Sequence, residues 1–196
     1  MRYAKEHKIE SRNNILSSAL KLFSHRGFDN VSIDEIMANA GLTRGTFYAH
    51  FKNKQDLYTK SILSANLNVE KDTSNLADGK SQFKKMVTDY LEADYSNPDI
   101  LPCPLACLVT DVANREPEVR TAYATSFVTL NLQIKNLLSL NTTIDEETIL
   151  AITSMMIGTV AISRTIPKSA TKKLLSGCKK TVFRLIDTSN KRGRLD

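Results

Sequence analysis

The sequence predicts an all-α fold on three observations. Apolar residues recur at three- and four-residue steps along most of the chain, helix start and stop signals bracket those segments, and no stretch alternates apolar and polar residues as a half-buried strand would. The 196 residues suffice for one mid-sized domain, or a small module joined to a larger one, with core enough to fold without disulfides.

The first helix is predicted over 13–25, where Ile15, Leu16, Ala19, Leu20, Leu22 and Phe23 gather on one face. Gly27 stops it, because glycine takes the left-handed backbone of a helix end without steric cost. His25 and Arg26 suit the negative end of the helix dipole, and Phe28 can fold back onto the helix. Ser32 and Glu35 then form an S-x-x-E capping box, with Val31 and Ile36 as its hydrophobic staple, for a short helix that ends near Ala40 at Gly41. Leu42, Thr43 and Phe47 repeat that staple and cap for a third helix reaching about His50. Asn53 caps a fourth, with Asp56 in its first turn and Leu57, Ile62 and Leu63 predicted buried.

Residues 72–80 (DTSNLADGK) break the periodicity and read as a domain junction. A helix follows over 81–95, then a turn holding Pro98, Pro102 and Pro104, then a helix over 105–114. Pro117 fits the first turn of a helix reaching about 140. Thr143 and Glu146 make a second capping box for a helix to about 165, and a last helix is predicted over 170–187. That makes about nine helices, divided by the linear order into 1–52, a connecting helix and linker at 53–80, and a larger C-terminal domain over 81–196.

Charge points to a polyanionic partner. The net charge is +6, and the first 60 residues hold ten Lys and Arg against six Asp and Glu. A second basic stretch (Lys168, Lys172, Lys173, Lys179, Lys180, Arg184, Lys191, Arg192, Arg194) reads as a solvated helix face and tail, or as a nucleic-acid contact. Cys103, Cys107 and Cys178 show no framework spacing, and neither a signal segment nor a bilayer-length apolar run is evident, so a reducing cytoplasm is expected and no membrane.

Residues 32–51, SIDEIMANAGLTRGTFYAHF, describe a short helix, a glycine turn and a second short helix, the geometry that lays one helix in a major groove while the other braces it. The second helix concentrates Thr43, Arg44, Thr46, Tyr48 and His50 on its outside and keeps Phe47 and Phe51 for its buried side. The stretches TRGTFYAHFKNKQDLY and NILSSALKLFSHRGFDNVSIDEI resemble the most distinctive parts of the TetR family, without a gap over about residues 12–60. Met37 and Asn39 depart from the common pattern.

The resemblance implies an N-terminal three-helix DNA-binding domain, with Arg44 and Thr46 facing base edges and Thr43 and Gly45 permitting close approach. It implies phosphate contacts at Tyr48, His50, Lys52, Lys54 and Ser32. Independently of it, Arg can bond guanine bidentately, and a helix beginning near Asn53 offers backbone N–H groups to a phosphate.

The C-terminal half resembles the family in its plan of helices and in PCPLACLVTDVANREPEVRTAY. That implies a ligand-binding and dimerisation domain whose last two helices pair with a second copy. Ile149, Ile152, Met156, Val160 and Ser163 form a helical stripe, with Gly158 and Ala161 small enough for close helix approach, although an intramolecular core helix has the same pattern. Met86, Tyr90, Cys103, Cys107, Tyr123, Phe127 and Met155 are candidate pocket residues for an apolar or aromatic ligand, or else ordinary core. Cys103, just before a predicted helix start, is either a reactive thiol or a small buried residue.

The expectation is a homodimeric, sequence-specific transcriptional regulator, a repressor released from a palindromic operator by a small-molecule or thiol-reactive inducer. An enzyme is the first alternative. LADGKS ends like a phosphate-binding loop but has Ser74 where the first Gly is required, the His and Cys residues lack zinc spacing, and no cofactor motif appears. A protein-interaction module on the same scaffold is the second, and it predicts binding insensitive to salt.

Overall fold

The computed structural model describes residues 2–65, 79–94, 97, 100–101, 103–139 and 144–192, with side chains for all of these but 2–5 and 189–192. Ten helices and no strand occur among them: α1 (Arg2–Arg26), α2 (Ile33–Asn39), α3 (Arg44–Phe47), α4 (Lys54–Ser64), α5 (Gly79–Glu92), α6 (Pro104–Cys107), α7 (Val109–Ala113), α8 (Pro117–Leu138), α9 (Glu146–Ser163) and α10 (Lys168–Arg192). Contacts gather them into two units, one of residues 1–66 with 101–127 and the other of 67–100 with 128–196. The fold thus groups the chain differently from the linear division at 52 and 80: 101–127 belongs with the N-terminal module, and α8 contributes to both units.

In the first unit the predicted apolar face of α1 is buried through Ile15, Leu16, Ala19 and Phe23, against Val31, Ile36, Met37, Phe47, Phe51, Leu57, Tyr58 and Ile62. Leu108, Val112, Val119 and Ala122 close the same core from α7, its flank and the start of α8. Phe23, Phe28 and Tyr58 form an aromatic cluster, with Tyr58 centred 4.9 Å from each phenylalanine ring. Met37, the departure in α2, is fully buried here.

Local signals explain the helix boundaries. Gly27 has φ +77° and its N–H bonds the Phe23 carbonyl at 2.8 Å, a left-handed cap. Gly41, at φ +67°, ends α2 in a Schellman motif: its N–H bonds the Ala38 carbonyl, and the Leu42 N–H bonds that of Met37.

The Ser32–Glu35 capping box is complete. Ser32 Oγ accepts from the Glu35 N–H at 3.2 Å, and Glu35 Oε2 accepts from the Ser32 N–H at 2.8 Å. That backbone bond, with Arg26 and the Ser32 hydroxyl, lowers the Glu35 carboxyl to about 2. Because the folded state favours the ionised form, the contribution is present above the ordinary Glu range and fades as pH falls toward 2. Ser32→Ala is expected to cost about 1 kcal/mol in urea unfolding at neutral pH, with a shallower acid dependence than the parent, and equal stability of the two would refute the box.

Several boundaries differ from the sequence reading. α1 begins at Arg2, because good helix formers extend it past its apolar face. The helix expected over 105–114 is two short ones, broken at Leu108 (φ −108°, ψ 1°). Thr43 stands at the start of α3 without capping it, its Oγ1 lying 3.2 Å from Thr46 Oγ1, and α3 tightens into a turn after Phe47. Leu63 is exposed. Asp145 caps α9, and Thr143 lies outside the described residues, as do Tyr95, Pro98, Pro102 and 72–78 of the expected junction. Gly79 and Lys80, also assigned to that junction, open α5.

In the second unit α5, the end of α8, α9 and α10 pack around Phe83, Val87, Leu91, Ile134, Ile149, Ile152, Val160, Val182 and Ile186. Lys80 and Lys84 bridge to Asp187 at 2.7 and 2.9 Å, and Lys179 pairs with Glu92. α9 is the one described helix long and apolar enough to cross a membrane, contrary to the sequence reading, but Ile149, Ile152, Met156 and Val160 face the core and α10 packs against it.

Candidate nucleic-acid interface and helical cavity

A fully buried Phe47 anchors α3 in the core, and Phe51 is buried one turn later. That leaves Thr43, Arg44, Gly45 and Tyr48 exposed and Thr46 and His50 half-buried. The Tyr48 ring meets Phe47 edge-on at 5.1 Å and is 60% exposed. Arg44 reaches back to Asp34 of α2 at 2.7 Å, a pair whose two side chains are both more than half exposed. Ser32 is exposed at the start of α2, where its hydroxyl also donates to Glu35.

Lys52 is exposed and Lys54 half-buried at the start of α4. Asn53 Oδ1 accepts from the Asp56 N–H at 2.8 Å, and the Asp56 carboxylate accepts from the Lys52 N–H at 3.0 Å. The first-turn amides of Lys54 and Gln55 are not taken by these caps. Lys54 differs from the other candidate contacts, because its ammonium lies 4.2 Å over the Phe28 ring and burial lowers its basicity. Desolvation also lowers the basicity of His50, and Lys8 and Arg12 of α1 lower it further.

The structure brings the candidate pocket residues together only in part. Met86 and Tyr90 line a cavity of about 20 Å³ with Leu130, Ile134, Thr153, Met156 and Ile157, all in the second unit. Thr153 Oγ1 donates there to Asn131 Oδ1 at 2.8 Å. Space for about one water admits no inducer unless side chains repack, and Met86 and Met156 are suited to that.

Met155 lines a separate open groove between α9 and α10, with Thr159, Leu174, Gly177 and Cys178. Cys103, Cys107, Tyr123 and Phe127 belong to the first unit, where the Tyr123 hydroxyl donates to the Leu105 carbonyl at 2.5 Å. Burial, followed by the nearby Cys103 and Cys107, pushes the Tyr123 phenol up to about 12. Cys103 is itself buried, and α6 beyond it has four residues, so the dipole expected to activate this thiol is that of a single turn.

The sequence reading missed two sets of side chains. Asp34, which holds Arg44, carries no motif of its own. Tyr58, Asp111, Arg115 and Asp29 form a network: Tyr58 donates to Asp111 at 2.5 Å, and Arg115 donates to Asp111 and Asp29, each at 2.6 Å. Its members lie up to 86 residues apart, so no local pattern reveals it.

Comparison with known proteins agrees with this geometry. Residues 15–60 match the model for bacterial regulatory proteins of the tetR family. The HTH-type transcriptional regulator AcrR of Shigella flexneri is 46% identical over 59 residues, 30% of this chain and 27% of that protein. The HTH-type transcriptional repressor BepR of Brucella suis is 39% identical over 62 residues, 32% of this chain and 30% of that one. The chain thus spans less than half the length of the first curated relatives it matches.

The crystal structure of reduced Escherichia coli NemR superposes with a TM-score of 0.73 at 15% identity, covering 90% of this chain and 96% of that one. It extends the likeness in fold over both units. An exposed polar helix on a buried phenylalanine anchor lies inside residues 15–60, the segment that is similar to the tetR family of bacterial regulatory proteins.

Proposed function

We propose that this protein is a cytoplasmic transcriptional repressor that binds a palindromic operator as a homodimer and leaves it when an inducer is taken up. The observation that carries this reading is α3: Phe47 is wholly buried while Arg44 and Tyr48 stand outside, so the helix presents hydrogen-bonding groups from a fixed base. BepR, 39% identical over 62 residues, is named a repressor. The family that residues 15–60 match is described as bacterial regulatory proteins and the similar AcrR as a transcriptional regulator, which supports a DNA-binding regulator over an enzyme.

A homodimer supplies the two half-sites that a palindrome needs. The face of α9 turned away from its own core carries Leu150, Ala151, Ser154 and Ile162 exposed, and the open groove between α9 and α10 adjoins it. This surface supports pairing of the last two helices with those of a second copy. The stripe Ile149, Ile152, Met156 and Val160 is consumed by the chain's own core.

The inducer is a small apolar molecule entering the Met86–Tyr90 cavity after repacking, or an electrophile reaching Cys103 or Cys107. Either acts by favouring a form whose recognition helices are wrongly spaced for adjacent grooves. The test is retardation of DNA from the promoter region beside its own gene across a salt series, for the wild type and the Arg44→Ala/Tyr48→Ala double variant. Saturable, salt-sensitive binding lost in the variant is expected, and the complex then serves to screen ligands and thiol reagents. Failure to bind both that DNA and any duplex from a random-sequence selection would overturn the reading.

A further inference from the structure

Along residues 6–10, α1 serves no apolar face. Residues 6–10 are all exposed, yet the helix continues through them as far as Arg2. Four of the ten basic residues in the first 60 positions fall within the first twelve, ahead of the segment 15–60 that matches the family model.

Two of these cations are held close to the DNA-facing turn. Arg12 is half-buried, with its guanidinium 5.6 Å from the centre of the Phe51 ring, and the imidazole of His50 lies 6.2 Å from the same ring. Lys8 stands one helical turn before Arg12 and is exposed. Both lie close enough to His50 to disfavour its protonation. Lys60 approaches Phe51 from α4, but Asp56 meets its charge at 2.9 Å. Two cations of α1 and an imidazole whose charging they disfavour therefore lie beside the recognition helix, an arrangement that suits a polyanion.

We propose that Lys8 and Arg12, together with His50, form a phosphate clamp that extends the DNA interface from α3 onto the first turns of α1. The inference rests on DNA binding as proposed above and adds to it a contact that reads no sequence. The clamp grips the duplex backbone, so it strengthens binding to every sequence equally while α3 supplies discrimination.

The experiment is a salt titration of the full chain on a random-sequence duplex and on the operator, for wild type, Lys8→Ala/Arg12→Ala and Lys8→Arg/Arg12→Lys. Each lost phosphate contact lowers the slope of log Kobs against log salt by about 0.9, so the double alanine variant is expected to lose about 1.8 on both duplexes. The charge-conserving variant is expected to keep the wild-type slope, and the operator-to-random affinity ratio is expected to stay unchanged. A role of Arg12 limited to packing on Phe51 weakens binding at every salt with the slope intact, and that result overturns the clamp. A wild type that binds neither duplex, or binds without salt dependence, overturns the DNA reading and the clamp together.

Discussion

Replacing Arg44 with alanine is expected to weaken operator binding by about 1–3 kcal/mol, roughly 5- to 150-fold in Kd, while binding to random duplex falls far less. The free protein explains why so large an effect is available. Arg44 is parked on Asp34 at 2.7 Å, and with the two side chains 62 and 60% exposed the pair is worth no more than about 1 kcal/mol. Exchanging that weak partner for a guanine edge therefore costs little and gains two charge-assisted bonds.

The same reasoning gives Asp34→Ala the opposite sign. Freeing Arg44 and removing a negative charge from the DNA-facing side is expected to tighten binding up to about fivefold at low salt, with the gain shrinking as salt rises. Kd values from fluorescence anisotropy at two salt concentrations check both. If Arg44→Ala binds its operator like the wild type, base readout by α3 is wrong, whatever the phosphate contacts do.

The parts legible in the sequence are those fixed by local chemistry. Ser32 and Glu35 three residues apart are enough to start α2, because the bonds they make join neighbours along the chain. Gly27 and Gly41 end helices through a backbone conformation that no distant residue supplies. The polar exterior of α3 over Phe47 was readable for the same reason. Periodicity told that Met86, Tyr123 and Met155 lie on apolar faces, but not which core each face meets, and the fold distributes these residues over the cavity, the first unit and the α9–α10 groove. Residues 6–10 are all exposed, and a stretch with no buried face offers no period to detect. Chain order places residues 101–127 with the C-terminal domain because it conceals contacts such as Arg115 with Asp29.

That last contact carries the largest expected effect on stability. Arg115 is 18% exposed and Asp111 20%, so both charges are largely out of water and each depends on the other. The guanidinium also lies 4.6 Å from the Phe28 ring centre and bonds Asp29, while Asp111 takes the Tyr58 hydroxyl at 2.5 Å. Arg115→Ala leaves Asp111 largely buried without its cation and strips packing from Phe28, and it is expected to cost about 2–4 kcal/mol in urea unfolding. Arg115→Lys is expected to recover little, since an ammonium cannot reproduce the two-pronged contact with Asp29 and Asp111.

Tyr58→Phe is expected to cost about 1.5–3 kcal/mol and to combine non-additively with Arg115→Ala, because both act through Asp111. The two variants also differ in how their stability depends on pH. Burial first, and then Asp111, push the Tyr58 phenol well above its ordinary range, so the folded state favours the neutral hydroxyl. That contribution is whole below the ordinary tyrosine pKa of about 10 and fades as pH rises beyond it. Stability above that pH is therefore expected to fall more steeply in the wild type than in Tyr58→Phe, and parallel curves would detach the phenol from the network. Asp111 follows α6 while Tyr58 lies on α4 and Asp29 precedes α2, so the network ties 101–127 to both flanks of the helix-turn-helix. Under the inducer release proposed above, Arg115→Ala is expected to reduce the effect of the inducer on operator affinity even at temperatures where the variant remains folded.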